Sequence, residues 1–302
     1  MKEEYDEIEA SYTDFLKEVK RVIEKLLVDN KIPIAFNIYG RFKKLDSIQE
    51  KNNSNRFKIK KTITELNDLV GLRIVLLFPE YKDQVTDLLL QEFNPVVEYK
   101  KESPIVDKFG YSSTHLILEV KEDWLKTPDF KYHKSKKIEV QIRTLSEHIW
   151  AETSHSLSYK REENIPQVIR RDLYRLSALL EVVDEKLQNI KNDVLKHFEQ
   201  TQNSPFEQIL KMDLNPETFR RVMKESSNGN YNINENANRE ISSKIEHDYN
   251  ILTTRVLHEL ITGKISSDNY SDEKFINHVF EILDNYKTEI DKKQEEKQQE
   301  ET

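Results

Sequence analysis

In the middle of this chain, Ile138, Val140 and Ile142 alternate with Glu139, Gln141 and Arg143. Period two is the mark of a strand with one face in a core. The rest of the molecule must then cover three apolar side chains and leave an acid, an amide and a guanidinium side by side on the opposite face. Thr144 and Ser146 are candidate helix N-caps, and Leu145 to Lys160 turns helical. That helix puts His148, Glu152 and His155 near one another at spacings of four and three. A carboxylate and a guanidinium on a strand that feeds a polar-faced helix suit a phosphate-and-metal site. Taken alone, the pattern fits an edge strand with its polar face in water equally well.

Composition limits what surrounds this strand. The chain has 302 residues, 36% apolar and 34% charged, which allows one large domain, or one domain plus a smaller one, with solvated helices or a tail. A net charge of −8 argues against a general nucleic-acid coat or an anionic-membrane binder, though not against a local basic site. Without Cys there is no disulfide framework, zinc-thiolate site or cysteine nucleophile. No basic-then-apolar leader and no run of about 18 apolar residues occurs, so a cytoplasmic protein without membrane association is expected.

Residues 5–29 carry apolar side chains at three and four, as an amphipathic packing helix does, and Asn30 and Pro33 stop it. Residues 34–39, IAFNIY, read as a buried strand ended by Gly40. Behind it Arg41, Lys43, Lys44, Ser47 and Lys51 crowd where a helix can begin, an arrangement that holds phosphate oxygens or simply lies in solvent. Residues 52–61 read as a polar loop and 62–66 as a helical turn. Asp68 then stands before an apolar run, Ile74 to Phe78, read as a central strand buried on both faces, with Arg73 just inside it. An acid at a strand mouth is a plausible Mg²⁺ ligand, or a turn cap. A helix over 82–93 and a strand over 96–100 follow. Phe109-Gly110-Tyr111 reads as a turn able to present an aromatic face to a base, and 114–120 as a strand that includes His115.

Residues 121–136 read as a polar connector. Pro166 opens a helix over 167–200 whose long apolar stripe asks for a partner helix or a second subunit. Ser204-Pro205 and Asn215-Pro216 open short helices, and the Asn-rich 226–238 reads as a linker. Two further helices, near 239–262 and 272–290, precede a charged tail. His247-Asp248 is a lone pair without the upstream His and Asp set that a metal phosphohydrolase needs.

Taken together, GRFKKLDSIQEK (40–51), DLVGLR (68–73), GYSSTH (110–115) and EVQIRT with the following H, WAE, H and YK (139–160) resemble, in order, the synthetase domain of RelA/SpoT-type alarmone, or (p)ppGpp, synthetases. The resemblance implies an α+β fold, with a mixed five-stranded sheet flanked by helices as in nucleotidyltransferases. It implies a small member without the hydrolase domain of the long bifunctional enzymes. The domains expected are 1–202 for the synthetase, 203–290 for an all-helical extension and 291–302 for a disordered tail. The implied activity is transfer of pyrophosphate from ATP to the 3′-hydroxyl of GDP or GTP, with Mg²⁺ as cofactor.

Carried over by motif, Arg41, Lys43, Ser47, Lys51 and Arg73 belong to the ATP side. Asp68 and Glu139 are the catalytic, Mg²⁺-binding carboxylates. Tyr111, His115, Gln141 and Arg143 belong to the acceptor side. Where the family often has Lys-x-Asn-Gly-Tyr, this chain has Asp107 and Phe109, leaving Lys108 as the available cation. That departure keeps two alternatives open: a toxin-like relative acting on tRNA 3′ ends or adenosine nucleotides, and a non-catalytic nucleotide-sensing module. A homo-oligomer joined through helical regions is also expected.

Overall fold

The computed structural model describes residues 1–54, 57–99, 113–157, 166–227, 229, 231, 233–264 and 272–300. It divides into two compact units, Met1–Ile190 and Lys191–Thr302. The sequence-based boundary at residue 202 lies inside a helix, α5 (Gln167–Asn203), and the division falls earlier in that helix.

The first unit is built on one five-stranded sheet in the order β1-β2-β5-β4-β3. Its strands are β1 (Tyr39–Phe42), β2 (Val70–Leu76), β3 (Phe93–Pro95), β4 (Thr114–Val120) and β5 (Ile138–Thr144). Only β2 and β5 run parallel; the other pairs are antiparallel. The alternation read in β5 holds across three strands. Leu72, Val140 and Leu116 stand in one row, and Ile74 pairs with Ile142 in the next. This face is covered by α1 (Lys2–Asp29), through Phe15, Val19 and Ile23, and by α3 (Tyr81–Glu92), through Val85 and Leu89. Fully burying each such side chain contributes about 1.5–3 kcal/mol.

Several elements differ from their sequence reading. The first strand is Tyr39–Phe42, not 34–39; Ile34 makes only an isolated bridge to Leu76. Gly40 does not end that strand but lies within it, because α1 crosses so closely that a Cβ there would stand 2.8 Å from Leu16 Cδ1. β2 starts at Val70, ahead of the run read as the strand; Ile74, Val75 and Leu76 are buried on both faces as expected, whereas Gly71 and Arg73 are only part-buried on the face away from α1. The strand expected over 96–100 is Phe93–Pro95, at the sheet edge where proline's missing N–H costs no ladder bond. The connector after β4 is packed, with Phe130 and His133 buried and Trp124 edge-on to Phe93. α2 (Leu45–Asn53) follows β1, and α4 (Leu145–Leu157) follows β5 directly.

The second unit is helical: α6 (Phe206–Ile209), α7 (Pro216–Ser226), α8 (Glu235–Tyr249), α9 (Thr254–Ile261) and α10 (Asp272–Glu300) follow the end of α5. Its core includes Phe219, Val222, Ile245, Leu257 and Leu283. Asn215 caps α7 by accepting from the N–H groups of Glu217 and Thr218. Asn250, at φ 52°, ends α8 in the left-handed region and so splits the helix read over 239–262. The Asn-rich stretch is no linker. Tyr231 and Ile233 are buried in this core, and Asn238 accepts from the Tyr231 hydroxyl while donating to Pro216 O. The stretch expected as a disordered tail continues α10 to Glu300, as Lys, Glu and Gln without Gly or Pro favour. No helix among the described residues is long and apolar enough to cross a membrane.

Candidate active site

The sheet face opposite α1 carries the predicted chemistry in two rows. Arg41, Gly71, Glu139 and Ile117 pair across β1, β2, β5 and β4; Tyr39, Arg73, Gln141 and His115 form the next row. Gly71 is thus the one position between Arg41 and Glu139, and among the described residues nothing lies within 4 Å of where its Cβ would be. The sheet face is therefore uncovered by described residues at Gly71, the neighbour of Glu139 in the row.

Asp68 sits in the turn before β2. Lys43, just past β1, and Lys51, on α2, both donate to its Oδ2, at 2.6 and 2.8 Å. Its Oδ1 is buried and has no hydrogen-bond partner among the described residues. Burial pushes the Asp68 carboxyl up, but the hydrogen bonds from Lys43 and Lys51, with their charges, hold it below the usual carboxylate range. Lys137 donates to Asn67 at 3.1 Å, tying the approach to β5 to the turn that carries Asp68.

Glu139 is held on both oxygens. His115 Nδ1 is 3.0 Å from Oε1, and Gln141 Nε2 donates to Oε2 at 2.9 Å. Burial raises its carboxyl, yet the His115 and Gln141 hydrogen bonds outweigh this and hold it low, while the Asp68 charge pushes the other way. The two carboxylates thus feel each other. Among the described residues no three acids or histidines gather as a self-sufficient metal site.

A third group lies along the same face. Glu152 of α4 places Oε1 2.7 Å from Arg73 Nη1, 3.8 Å from Arg143 Nη1 and 4.0 Å from His148 Nδ1. Arg143 is only 8% exposed, and burial followed by the Arg73 charge lowers its proton affinity. His148 is lowered by burial and then by Arg73.

Of the residues read from the sequence, Asp68, Lys43 and Lys51 come together, as do Glu139, Gln141 and His115. Arg73 and Arg143 meet through Glu152. Arg41 is exposed on β1 across from Gly71, and Ser47 is exposed on the first turn of α2. His115 stands on β4 itself. Lys108 and Tyr111 lie outside the described residues, as does the His155 side chain. Two roles escaped the sequence reading. Glu152 registered only as part of a polar helix face, whereas it joins two arginines from different strands. Of the two candidate caps Thr144 is the one used, and its partner Glu147 went unread although Thr-x-x-Glu is a capping-box signature.

A family model described as "Region found in RelA / SpoT proteins" matches residues 40–164. The chain is 32% identical over 168 residues to the GTP pyrophosphokinase YjbM of Bacillus subtilis, covering 55% of this chain and 76% of that protein. Its fold matches the crystal structure of small alarmone synthetase 1 from Bacillus subtilis with TM-score 0.52 and 29% identity, over 64% of this chain and 99% of that one. The same synthetase bound to AMPCPP matches with TM-score 0.50 and 25% identity, over 64% and 99%. Motif order, sheet and extent of match agree: the chain belongs to the RelA/SpoT family of pyrophosphokinases, as a small RelA/SpoT-type synthetase.

Proposed function

We propose that this protein transfers the β,γ-pyrophosphate of ATP to the 3′-hydroxyl of GDP or GTP. The observation that carries the reading is the pair Asp68 and Glu139 on adjoining elements, each held ionised by its own partners, beside the sheet face that described residues leave uncovered at Gly71. The relatives support a nucleotide donor and acceptor: one is named a GTP pyrophosphokinase and another was solved with AMPCPP.

On this reading Lys43 and Lys51, with Arg41, Ser47 and Arg73, receive the donor's phosphates; Lys offers a point charge and Arg a planar fork. Mg²⁺ fits the unpartnered Oδ1 of Asp68 and the Glu139 carboxylate, since it binds through one or two carboxylates and keeps other positions for phosphate and water. Bound there, it would neutralise polyphosphate charge. Glu139 takes the proton from the 3′-hydroxyl as that oxygen bonds to the β-phosphorus. The bond from that phosphorus to the α,β-bridging oxygen breaks, and AMP leaves with the oxygen. His115 and Gln141 fix the direction of Glu139, and a ribose hydroxyl, weakly acidic at neutral pH, gains most from a base so aimed.

Incubation with γ-labelled ATP and GDP, GTP, adenosine nucleotides or tRNA in turn tests this. Label and AMP appearing together with GDP or GTP support it, and label moving only to tRNA or to adenosine nucleotides refutes the acceptor. The helical regions are taken as contacts between copies of the chain, supported by the apolar side chains of Leu179, Val183, Leu187 and Ile190 exposed along α5.

A further inference from the structure

The start of α4 is fastened to α5 through one hydroxyl. Thr144 ends β5 and caps α4: its Oγ1 accepts the Glu147 N–H at 3.1 Å, and the Glu147 carboxylate accepts the Thr144 N–H at 2.9 Å. The same hydroxyl donates its single proton to Asp184 Oδ2 of α5, at 2.6 Å. The second oxygen of Glu147 takes Lys82 of α3 at 2.5 Å. Thr144, Glu147 and Asp184 are all buried. Charge-assisted bonds in such a place are short and strongly directional, and bonds within a network reinforce one another.

Two turns further along α4, Glu152 reaches Arg73 and Arg143. Its side chain is 57% exposed, so no packing shell holds it; the seat of α4 decides where its carboxylate stands. Displace it and the two guanidiniums face each other unscreened, with the Arg73 charge already bearing on Arg143.

We propose that Asp184 is a positioning residue for the synthetase site, acting through Thr144 and α4 to hold Glu152 against Arg73 and Arg143. It touches no substrate. The proposal rests on the reading that Arg73 faces the donor nucleotide. It also makes the long helix after the last strand a working part of the site rather than a buttress.

The test uses the full chain. Asp184→Ala removes the acceptor for the Thr144 hydroxyl, whereas Asp184→Asn keeps an oxygen to accept it. Thr144→Val repeats the loss from the other end while preserving shape. Gln188→Ala is the control: one turn along α5, Gln188 donates to Glu80 at 2.6 Å, a contact that touches neither Thr144 nor Glu147. Asp184→Ala and Thr144→Val are expected to raise the KM for ATP about fivefold, the scale of a lost coupling between contacting residues, with kcat within about twofold. Asp184→Asn stays near wild type, and Gln188→Ala lowers Tm without moving KM. In a Glu152→Gln background the KM rise from Asp184→Ala disappears, because both changes act on one contact. Equal KM effects from Asp184→Ala and Gln188→Ala, or additive effects with Glu152→Gln, overturn the proposal. Calorimetric ATP affinity of the same variants reads the relay without turnover. A wild-type protein that binds ATP but transfers nothing would refute the proposed function and leave this test standing.

Discussion

Glu139 is at once an ionised carboxylate and a weak base, because the two hydrogen bonds that orient it also lower its proton affinity. That compromise suits a transfer in which positioning and charge neutralisation matter most. Glu139→Gln keeps the size and can still bond Gln141, so the fold should persist while kcat falls about 10²- to 10⁴-fold, the usual worth of a positioned acid–base group. Steady-state kinetics with a Tm control checks this; activity within a few-fold of wild type would remove Glu139 from the mechanism. Lys51→Ala, which takes one of two cations from Asp68, should raise the KM for ATP more than it lowers kcat. The placing of Asp68 before a strand and of Glu139 on one was legible because such positions leave local patterns; the roles proposed for them come from the family resemblance. The contact made by Glu152 was not legible: its partner Arg73 is 79 residues away, and only the adjacency of β2 and β5, with α4 following β5, brings them together.

At the scale of elements, α1 and β5 were the easiest to read, each carrying an unbroken period. The others were misplaced by contacts that a local pattern does not contain. Gly40 belongs to β1 because Leu16 of α1 needs the room. In the Asn-rich stretch, Tyr231 is tied in because Asn238 bridges it to Pro216. The capping box at α4 needed only its Glu to be noticed. α1 supplies the cover of the sheet's apolar face, and Phe15 is fully buried beneath it. Phe15→Ala should cost about 3–5 kcal/mol, through lost transfer energy and a residual cavity. Chemical denaturation checks this: a shift in midpoint at constant m-value is expected, whereas a loss under 1 kcal/mol would mean that α1 is not part of the cooperative core.

For the whole molecule, stability should depend on pH through a buried pair far from the chemistry. His133 is 2% exposed, 3.3 Å from Asp14 of α1 and 3.0 Å from the Lys136 ammonium. Burial, and then the Lys136 charge, push its proton affinity down, against the opposing pull of Asp14 and Glu18. The folded state thus binds fewer protons here than the unfolded state. Its stability is whole above the ordinary histidine value, about 6.5, and is lost as pH falls from there toward the depressed folded value. Tm should drop between pH 7 and pH 5, and His133→Gln should flatten that drop. An unchanged slope in the variant would place the titration elsewhere. If the helical regions join copies of the chain, light scattering should give a mass above one chain, and Leu179→Glu with Val183→Glu should reduce it. The central claim, pyrophosphate transfer governed by Asp68 and Glu139, has one direct measurement. Wild type, Asp68→Asn and Glu139→Gln are each given γ-labelled ATP with GDP or GTP, and labelled guanosine product and AMP are counted together. Equal amounts of both from wild type, and neither from the variants, is the predicted result; AMP without labelled nucleotide, or full transfer by either variant, would contradict it.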